Sequence, residues 1–181
     1  KYKKLLLQAK QDYENTKNSK LLKDISKYNN IQMAKKISLN SAYGALGNVW
    51  FRYYDLLVAE AITTAGQLSI RWIERDINKY LNDLLKTSGF DYVIASDTDS
   101  VYVRFNRLVS KLFAEGEETQ KIVRFLDNIA REKIEPFIKK SYQSLHEYVN
   151  SYEQKMEMSR EVIADKGIWT AKKRYILNVW D

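Results

Sequence analysis

Apolar residues recur along the chain at two spacings, and each spacing predicts a different kind of element. A repeat of three to four residues puts side chains on one face of a helix, whereas alternation and short apolar runs are typical of strands. The helical repeat covers residues 1–15, 20–42, 55–85, 108–113 and 122–152. The strand patterns cover residues 92–95, 101–103, 156–163 and 175–180. The chain is therefore predicted to have an α+β fold, with helices covering a small antiparallel sheet.

Two parts of the chain differ in the apolar surface that they offer. Residues 1–48 are predicted to form a lysine-rich hairpin of two helices, which is too thin to bury much apolar surface and should project from the rest. Residues 49–181 are predicted to hold the core. Because they lie within apolar stretches, three tryptophans are expected in that core: Trp50, Trp72 and Trp169.

The amino-acid composition of the chain excludes some classes of function and favours others. The chain has 30 Lys and Arg against 23 Asp and Glu, and the resulting charge of +7 suits a polyanionic partner such as nucleic acid. The absence of cysteine excludes disulfides and thiolate metal sites, and the single histidine, His146, gives little support to a zinc site or a Ser-His triad. No apolar run approaches the length of a membrane span, so we expect no membrane partner. The absence of cysteine fits a reducing interior, so we expect a cytoplasmic location. The chain begins at Lys1 rather than at a methionine, and we expect it to be part of a longer protein.

The most informative polar stretch is Ser96-Asp97-Thr98-Asp99-Ser100, which separates two short apolar runs. The flanking residues predict two strands that meet at a tight turn. Asp97 and Asp99 are two residues apart, so an extended backbone points both carboxylates to the same side. Two neighbouring carboxylates repel unless a proton or a cation lies between them, and oxygen ligands favour Mg²⁺ or Mn²⁺. The alternative is an ordinary turn, because Asp, Ser and Thr also favour turns.

Two further stretches carry residues that suit nucleotides and nucleic acids. Lys36 and Asn40 are four residues apart, so they share one face of a predicted helix and can reach one triphosphate together. Tyr43 precedes Gly44, which sets an aromatic ring beside a backbone that can be approached closely. The alternatives are a solvated lysine and a tyrosine in the core. The run Lys172-Lys173-Arg174-Tyr175 offers cations to phosphates, or else a basic strand edge.

Taken in order, these motifs resemble those of family B DNA polymerases. Residues 96–100 resemble the D-T-D-S turn of the family's palm, and residues 36–44 resemble the K-x-x-x-N-S-x-Y-G motif of its fingers helix. Residues 172–175 resemble the K-K-R-Y motif near the primer terminus, and residues 160–164, Arg-Glu-Val-Ile-Ala, resemble the R-E-x-I-A segment before it. Residues 43–55 and 177–181 are similar to the T-even bacteriophage branch. The resemblance covers essentially the whole chain.

The resemblance implies a role for each part of the chain. Residues 1–48 would be the helical fingers hairpin and residues 49–181 a partial palm, without the exonuclease domain, the thumb or the upstream aspartate motif. Asp99 would bind two Mg²⁺ ions, with Mn²⁺ as a substitute, and Asp97 would lie further from them. The implied nucleotide contacts are Lys36, Asn40, Tyr43, Gly44 and, by a looser match, Lys3. The implied primer contacts are Lys172, Lys173, Arg174 and Tyr175. Thr98 and Ser100 would support the site, and Glu161 would either do so or lie on the sheet surface.

The implied activity is template-directed addition of deoxynucleotides to a primer 3′ end by a two-metal mechanism. The implied partners are primer–template DNA, deoxynucleoside triphosphates, the missing polymerase segments or a complementary chain, and a sliding clamp. The setting would be a bacterial or archaeal host cell, with the gene carried by a phage or virus. Because one aspartate motif is missing, the 181 residues are expected to be inactive in isolation. Two alternatives stay open: a non-catalytic nucleic-acid-binding module with a degenerate palm, and one subunit of a split polymerase.

Overall fold

The computed structural model describes residues 2–114, 116–171 and 173–181. Its helices are α1 (Tyr2–Thr16), α2 (Lys20–Leu46), α3 (Leu56–Leu85), α4 (Asn106–Leu112), α5 (Thr119–Ile129) and α6 (Glu135–Val149). Its strands are β1 (Val93–Asp97), β2 (Ser100–Val103), β3 (Ala164–Ala171) and β4 (Arg174–Val179). In the described part of the chain β1 pairs with β2 and β3 with β4, both antiparallel, so there are two small sheets rather than one. The predicted α+β class is confirmed.

The chain divides into two compact units, Lys1–Thr63 and Thr64–Asp181. In the first unit α1 packs along α2 and buries Leu6 and Ala9, which lie one helical turn apart. The ring of Tyr2, at the start of α1, lies 5.8 Å from the Lys35 ammonium on α2. From Lys35, α2 continues to Leu46, about 16 Å beyond that contact at 1.5 Å per residue. Both predicted helices of the hairpin are therefore present.

The core of the second unit forms where α3, β1 and α6 meet. Ile73, Ile77 and Leu81 lie at four-residue intervals on α3 and are almost completely buried. Tyr92 and Val93 from the start of β1 pack against them. Four residues of α6 and the preceding turn add to the cluster, together with one each from α3 and α4: Ile134, Ile138, Tyr142, Leu145, Leu85 and Leu108. The first sheet is thus covered by helices, as the sequence pattern predicted.

Two asparagines of α3 hold the chain that leads into β1. The Asn78 side-chain oxygen accepts hydrogen bonds from the backbone amides of Tyr92 (2.8 Å) and Val93 (3.0 Å). One turn further along, Asn82 accepts from the Phe90 amide (3.1 Å) and donates to the Phe90 carbonyl (2.7 Å). These bonds satisfy backbone groups at the start of β1 and in the residues just before it. They fix the position at which β1, and with it the acidic turn, begins.

Replacing Asn78 by Ala is expected to destabilise the second unit by about 2–3 kcal/mol. The change leaves the amides of Tyr92 and Val93 without an acceptor beside the core, and each unpaired buried donor costs about 1–3 kcal/mol. Urea denaturation followed by circular dichroism measures the effect. Asn128→Ala, at an exposed position of α5, is the control and should stay within about 0.5 kcal/mol of the parental chain. Equal effects of the two changes would contradict the role of Asn78.

A π-helical turn separates α5 from α6. The Glu135 amide donates to the carbonyl of Ala130, five residues earlier, and Pro136 follows directly in the first turn of α6. Proline has no amide hydrogen and its ring crowds the carbonyl four residues before it, so the regular helical pattern cannot run through. The wider turn absorbs this mismatch without ending the helical stretch.

Two expectations about individual segments were wrong. Trp50 is 90% exposed and Trp169 is 37% exposed, whereas Trp72 does pack against the core. Trp50 belongs to a run of adjacent aromatic residues in the turn between α2 and α3, and such a run has no single face to bury. The strand predicted at residues 156–163 is also wrong, since β3 begins only at Ala164. Alternation alone indicates an extended backbone, but a strand needs a partner with which to pair.

Candidate functional site

The acidic motif forms the turn between β1 and β2, as predicted. Asp97 ends β1 and pairs with Ser100, so Thr98 and Asp99 make the turn itself. The Asp99 amide donates to the Asp97 carbonyl over 2.6 Å, and the Ser100 hydroxyl donates to the same carbonyl over 3.1 Å. Thr98 has a φ of +52°, a strained value for a β-branched residue, and its hydroxyl donates to the Asp97 carboxylate over 3.0 Å. Strand alternation, the basis for putting both carboxylates on one side, therefore stops at Asp97.

Among the described residues, no cationic side chain is paired with the two carboxylates of the turn. Asp97 is half-buried and Asp99 is exposed, and neither forms an ion pair within that part of the chain. Burial raises the pKa of Tyr142 on α6, and the charge of Asp99 raises it further. The same described residues contain no cluster of three or more His, Cys, Asp or Glu side chains suited to a metal ion. Within the described residues, the acidic turn therefore presents two carboxylates and no third side chain of these types that could share a metal ion with them.

The basic motif lies at the turn of the β3–β4 hairpin, which is called the ribbon below. Ala171 pairs with Arg174, so the turn is tight, and Lys173 adopts a φ of +62° within it. Lys173, Arg174 and Tyr175 are exposed, while Lys172 lies outside the described residues. The structure therefore presents two cations and a phenol ring at the end of a two-stranded ribbon.

Tyr102 of β2 joins the ribbon to the hairpin that carries the acidic turn. Its ring meets the ring of Trp169 edge-on at 5.3 Å between centroids and that of Tyr175 at 5.4 Å. Burial raises the pKa of Tyr102, and the neighbouring Tyr175 phenol raises it further. Gly167 makes room for this packing, because a Cβ atom there would lie 2.6 Å from the Trp169 ring. Two motifs that are more than seventy residues apart are thus brought to one side of the second unit.

Sequence reasoning missed the part that Tyr102 plays. Its strand position, between Val101 and Val103, indicated only a residue of the sheet. In the R-E-x-I-A segment the predicted supporting residue is Glu161, which is exposed, whereas the neighbouring Arg160 makes several contacts. An arginine beside a glutamate gives no signal in the sequence to say which of the two is held by the fold.

The predicted nucleotide contacts lie together on the first unit. Lys36, Asn40, Tyr43 and Gly44 all belong to the part of α2 beyond its contact with Tyr2, and all are exposed. Lys3 is exposed in the first turn of α1, next to the residue that meets Lys35. A Cβ atom at Gly44 would meet nothing within 4 Å, so packing among the described residues does not require a glycine there.

No helix in the described part of the chain is long and apolar enough to cross a membrane.

Comparison with known proteins identifies the class. The model of DNA polymerase family B matches residues 2–135, about three quarters of the chain. The chain therefore belongs to DNA polymerase family B. It is 48% identical over 159 residues to the DNA-directed DNA polymerase of Escherichia phage RB69, covering 83% of this chain and 18% of that polymerase.

Two other relatives extend the comparison. The DNA-directed DNA polymerase of Enterobacteria phage T4 is 45% identical over 162 residues, covering 84% of this chain and 18% of the relative. The DNA polymerase delta catalytic subunit of Candida albicans is 35% identical over 80 residues, covering 42% of this chain and 7% of the relative. The two phage relatives confirm the resemblance to the T-even branch. The chain spans less than a fifth of the length of these relatives.

Proposed function

We propose that this chain is the fingers hairpin (residues 1–48) and part of the palm (residues 49–181) of a template-directed DNA polymerase. The complete enzyme would add deoxynucleotides to the 3′ end of a primer on template DNA and release pyrophosphate. The observation that carries the proposal is the junction at Tyr102, which joins a negatively charged turn to a basic ribbon. A phosphoryl-transfer site needs cations bound by carboxylates and a basic surface for the primer backbone, and this part of the chain offers both.

The acidic turn fits a hard divalent cation in the chemistry of its ligands. Membership of the family implies use of divalent metal ions. Asp99 and Asp97 would hold Mg²⁺, or Mn²⁺ in its place, since both ions prefer carboxylate oxygen. When bound, such ions would lower the pKa of the primer hydroxyl and neutralise charge on the triphosphate. The two carboxylates need further ligands from other polymerase segments, and the Thr98 and Ser100 hydroxyls would keep Asp97 in position.

The exposed part of α2 would bind the incoming nucleotide. Lys36 and Asn40 lie one helical turn apart, so an ammonium and an amide can contact one triphosphate together. A glycine inside a helix costs about 1 kcal/mol relative to alanine. No described residue packs over Gly44, so packing within the described chain does not explain the glycine. We propose that a ligand approaches the backbone at this position, and we assign it as the base pair beside Tyr43. Lys3 would add a second cation for the phosphates.

The ribbon would bind the primer strand. Lys172, Lys173 and Arg174 are assigned to its phosphates, and Tyr175 to the sugar–phosphate backbone close to the 3′ end. Contacts of this kind carry no sequence information, which suits an enzyme that must extend any primer. The assignment of Glu161 as a supporting residue stays a proposal. The sliding clamp and the host cytoplasm are likewise proposed as the partner and location of the complete enzyme.

A chimeric polymerase tests the proposal directly. In it, this chain replaces the equivalent segment of the phage RB69 polymerase, to which it is 48% identical. We expect the chimeric polymerase to extend a primer in the presence of Mg²⁺ and all four deoxynucleoside triphosphates, in the order that the template dictates. A folded chimeric polymerase without primer extension would favour a degenerate, non-catalytic palm.

The isolated chain is the matched control. It is expected to fold but not to extend primers, because its two turn carboxylates cannot complete a two-metal site alone. Template-dependent extension by the pure 181-residue chain would contradict our assignment of the remaining metal ligands to other segments. Activity restored by mixing the chain with the rest of the RB69 polymerase would show that a split enzyme is workable.

A further inference from the structure

The ribbon that carries the basic motif has almost no core of its own. Every described residue of β3 and β4 is exposed except Leu177, which is half-buried. A two-stranded hairpin in this situation is marginally stable by itself. Its orientation, and hence the direction in which Lys173 and Arg174 point, must come from its attachments to the rest of the second unit.

The first attachment is the aromatic contact of Tyr102 with Trp169 and Tyr175, close to the turn of the ribbon. Aromatic pairs of this type contribute about 0.5–1.5 kcal/mol each and tolerate some rotation. With this attachment alone, the ribbon would be free to pivot about the Tyr102 ring. A second attachment, away from the turn, is needed to define its direction.

The second attachment is a group of ion pairs at the open end of the ribbon, called the Arg160 cluster below. It consists of Arg160, Asp127, Arg131 and Asp181. The Arg160 guanidinium donates from Nε to Asp127 on α5 (3.0 Å), and its Nη2 lies 2.8 Å from the Asp181 carboxylate. The backbone amide of Arg160 also donates to Glu135 at the start of α6 (2.9 Å). The arginine side chain is only 16% exposed, so it is held by its partners.

The Arg160 cluster is joined to the strands through the backbone. The Ile163 amide donates to the Asp181 carbonyl, and the Trp180 amide donates to the Ile163 carbonyl over 2.9 Å. Ile163 directly precedes β3 and Trp180 directly follows β4, so these bonds close the end of the ribbon opposite its turn. The cluster therefore ties that end to α5 and α6.

Asp127 is the centre of the cluster. It accepts two hydrogen bonds from Arg131 Nε, at 2.9 and 3.0 Å, in addition to those from Arg160. The Arg131 hydrogen bond, followed by the contacts with Arg160, holds the pKa of this carboxyl below its usual value, so it is charged at neutral pH. The Arg160 and Asp127 side chains are 16% and 23% exposed, so the attraction between them is largely offset by the hydration that both groups lose, and the net gain in free energy of folding is small. Their main effect here is on direction, since they fix where the ribbon leaves the helices.

We propose that Asp127 and Arg160 are positioning residues, which orient the ribbon so that Lys173 and Arg174 reach the backbone of bound DNA. The inference rests on the proposed function, because it takes the primer strand as the partner of the ribbon. It assigns to Arg160, rather than to Glu161, the role of the R-E-x-I-A segment within this fold.

Three variants of the 181-residue chain test the inference. Asp127→Asn removes the central charge of the cluster. Arg160→Lys keeps the net charge but loses the fork that reaches two carboxylates at once. Asp83→Asn, at an exposed position of α3, is the control with the same charge change as Asp127→Asn. Binding of a fluorescein-labelled primer–template duplex is measured by anisotropy over a range of salt concentrations. Hydrogen exchange reports on the β3 and β4 amides, and circular dichroism verifies that each variant is folded.

The expected change in DNA affinity is opposite to the change that charge alone predicts. Removing a negative charge should tighten binding to DNA, and Asp83→Asn is expected to do so slightly. Asp127→Asn and Arg160→Lys should instead weaken binding by about tenfold, and the slope of log K against log salt should become shallower by about two, as two phosphate contacts are lost. Exchange of the ribbon amides should accelerate in both variants, while the β1–β2 amides keep their parental rates.

Three outcomes would overturn the inference. Unchanged exchange in the ribbon would mean that the Arg160 cluster does not hold it. Faster exchange with unaltered DNA affinity and salt slope would mean that the cluster has a structural role only. Absence of any DNA binding by the parental chain would overturn the proposed function, and this inference with it, whatever the exchange rates show.

Discussion

Replacing Asp99 by Asn in the chimeric polymerase is expected to reduce nucleotide addition by about a thousandfold or more. The substitution keeps the size of the side chain but removes a charge on which hard cations depend. Metal stabilisation of a phosphoryl-transfer transition state contributes several kcal/mol, and each 1.36 kcal/mol corresponds to a factor of ten in rate. Single-nucleotide incorporation under rapid-quench conditions measures the effect. Folding and duplex binding should be unaffected, because Asp99 is exposed in a turn.

Asp97→Asn is the comparison that distinguishes a metal site from an ordinary turn. The Asp97 carboxylate accepts a hydrogen bond from Thr98 and its carbonyl accepts two more, so this residue also organises the turn. Loss of a group that supports a metal ligand costs about 10–100-fold, and we expect an effect of that size on incorporation. If the motif were only a turn, both changes would shift the thermal midpoint and spare the rate. Near-parental primer extension by Asp99→Asn would therefore contradict the metal-binding role.

Replacing Ile77 by Ala is expected to produce a large loss of stability in the second unit, about 2–5 kcal/mol. The side chain is 1% exposed and lies between α3, β1 and α6, so its removal leaves a cavity as well as lost apolar burial. The free energy of unfolding from urea denaturation of the isolated chain measures the change. Because typical domains are stable by only about 5–15 kcal/mol, this single substitution approaches the limit of what the fold tolerates.

Leu84→Ala, on the same helix, is the matched control. Leu84 lies seven residues, about two helical turns, after Ile77, yet its side chain is 51% exposed. We expect its substitution to cost less than about 1 kcal/mol, since it removes little buried surface. A larger cost for Leu84→Ala than for Ile77→Ala would mean that the face of α3 assigned to the core is wrong.

The acidic turn was predictable because its signals are local. Apolar strand residues on either side of Asp97, Thr98 and Asp99 specify a hairpin, and the structure contains that hairpin. The turn geometry was not predictable in detail, since the positive φ of Thr98 is unusual for threonine and depends on bonds formed around Asp97. The placement of the polar residues of α2 was likewise predictable only in part. Their helix followed from its repeat, whereas the length that extends past α1 depends on where the two helices meet.

Burial of the tryptophans shows why apolar character is not enough to predict a core. Trp50, Trp72 and Trp169 all lie in apolar stretches, but they differ in the surface against which each one packs. Trp72 lies on the face of α3 that meets α6 and stacks near Tyr148, with ring centroids 5.2 Å apart. Trp169 lies on the ribbon, where its aromatic neighbour from another element, among the described residues, is Tyr102. Whether a tryptophan is buried depends on the element against which it packs, and the residue type alone does not identify that element.

The sequence by itself determined the helices, the acidic hairpin and the family of this protein, because these depend on residues close together along the chain. The tertiary structure alone decided which side chains meet across long separations. Arg160 and Asp127 are 33 residues apart and belong to segments with no shared pattern, yet the Arg160 guanidinium donates to the Asp127 carboxylate. Tyr102 and Tyr175 meet in the same way, as a result of how two separate hairpins pack. Such contacts follow from the packing of whole elements, and local spacing carries no information about them.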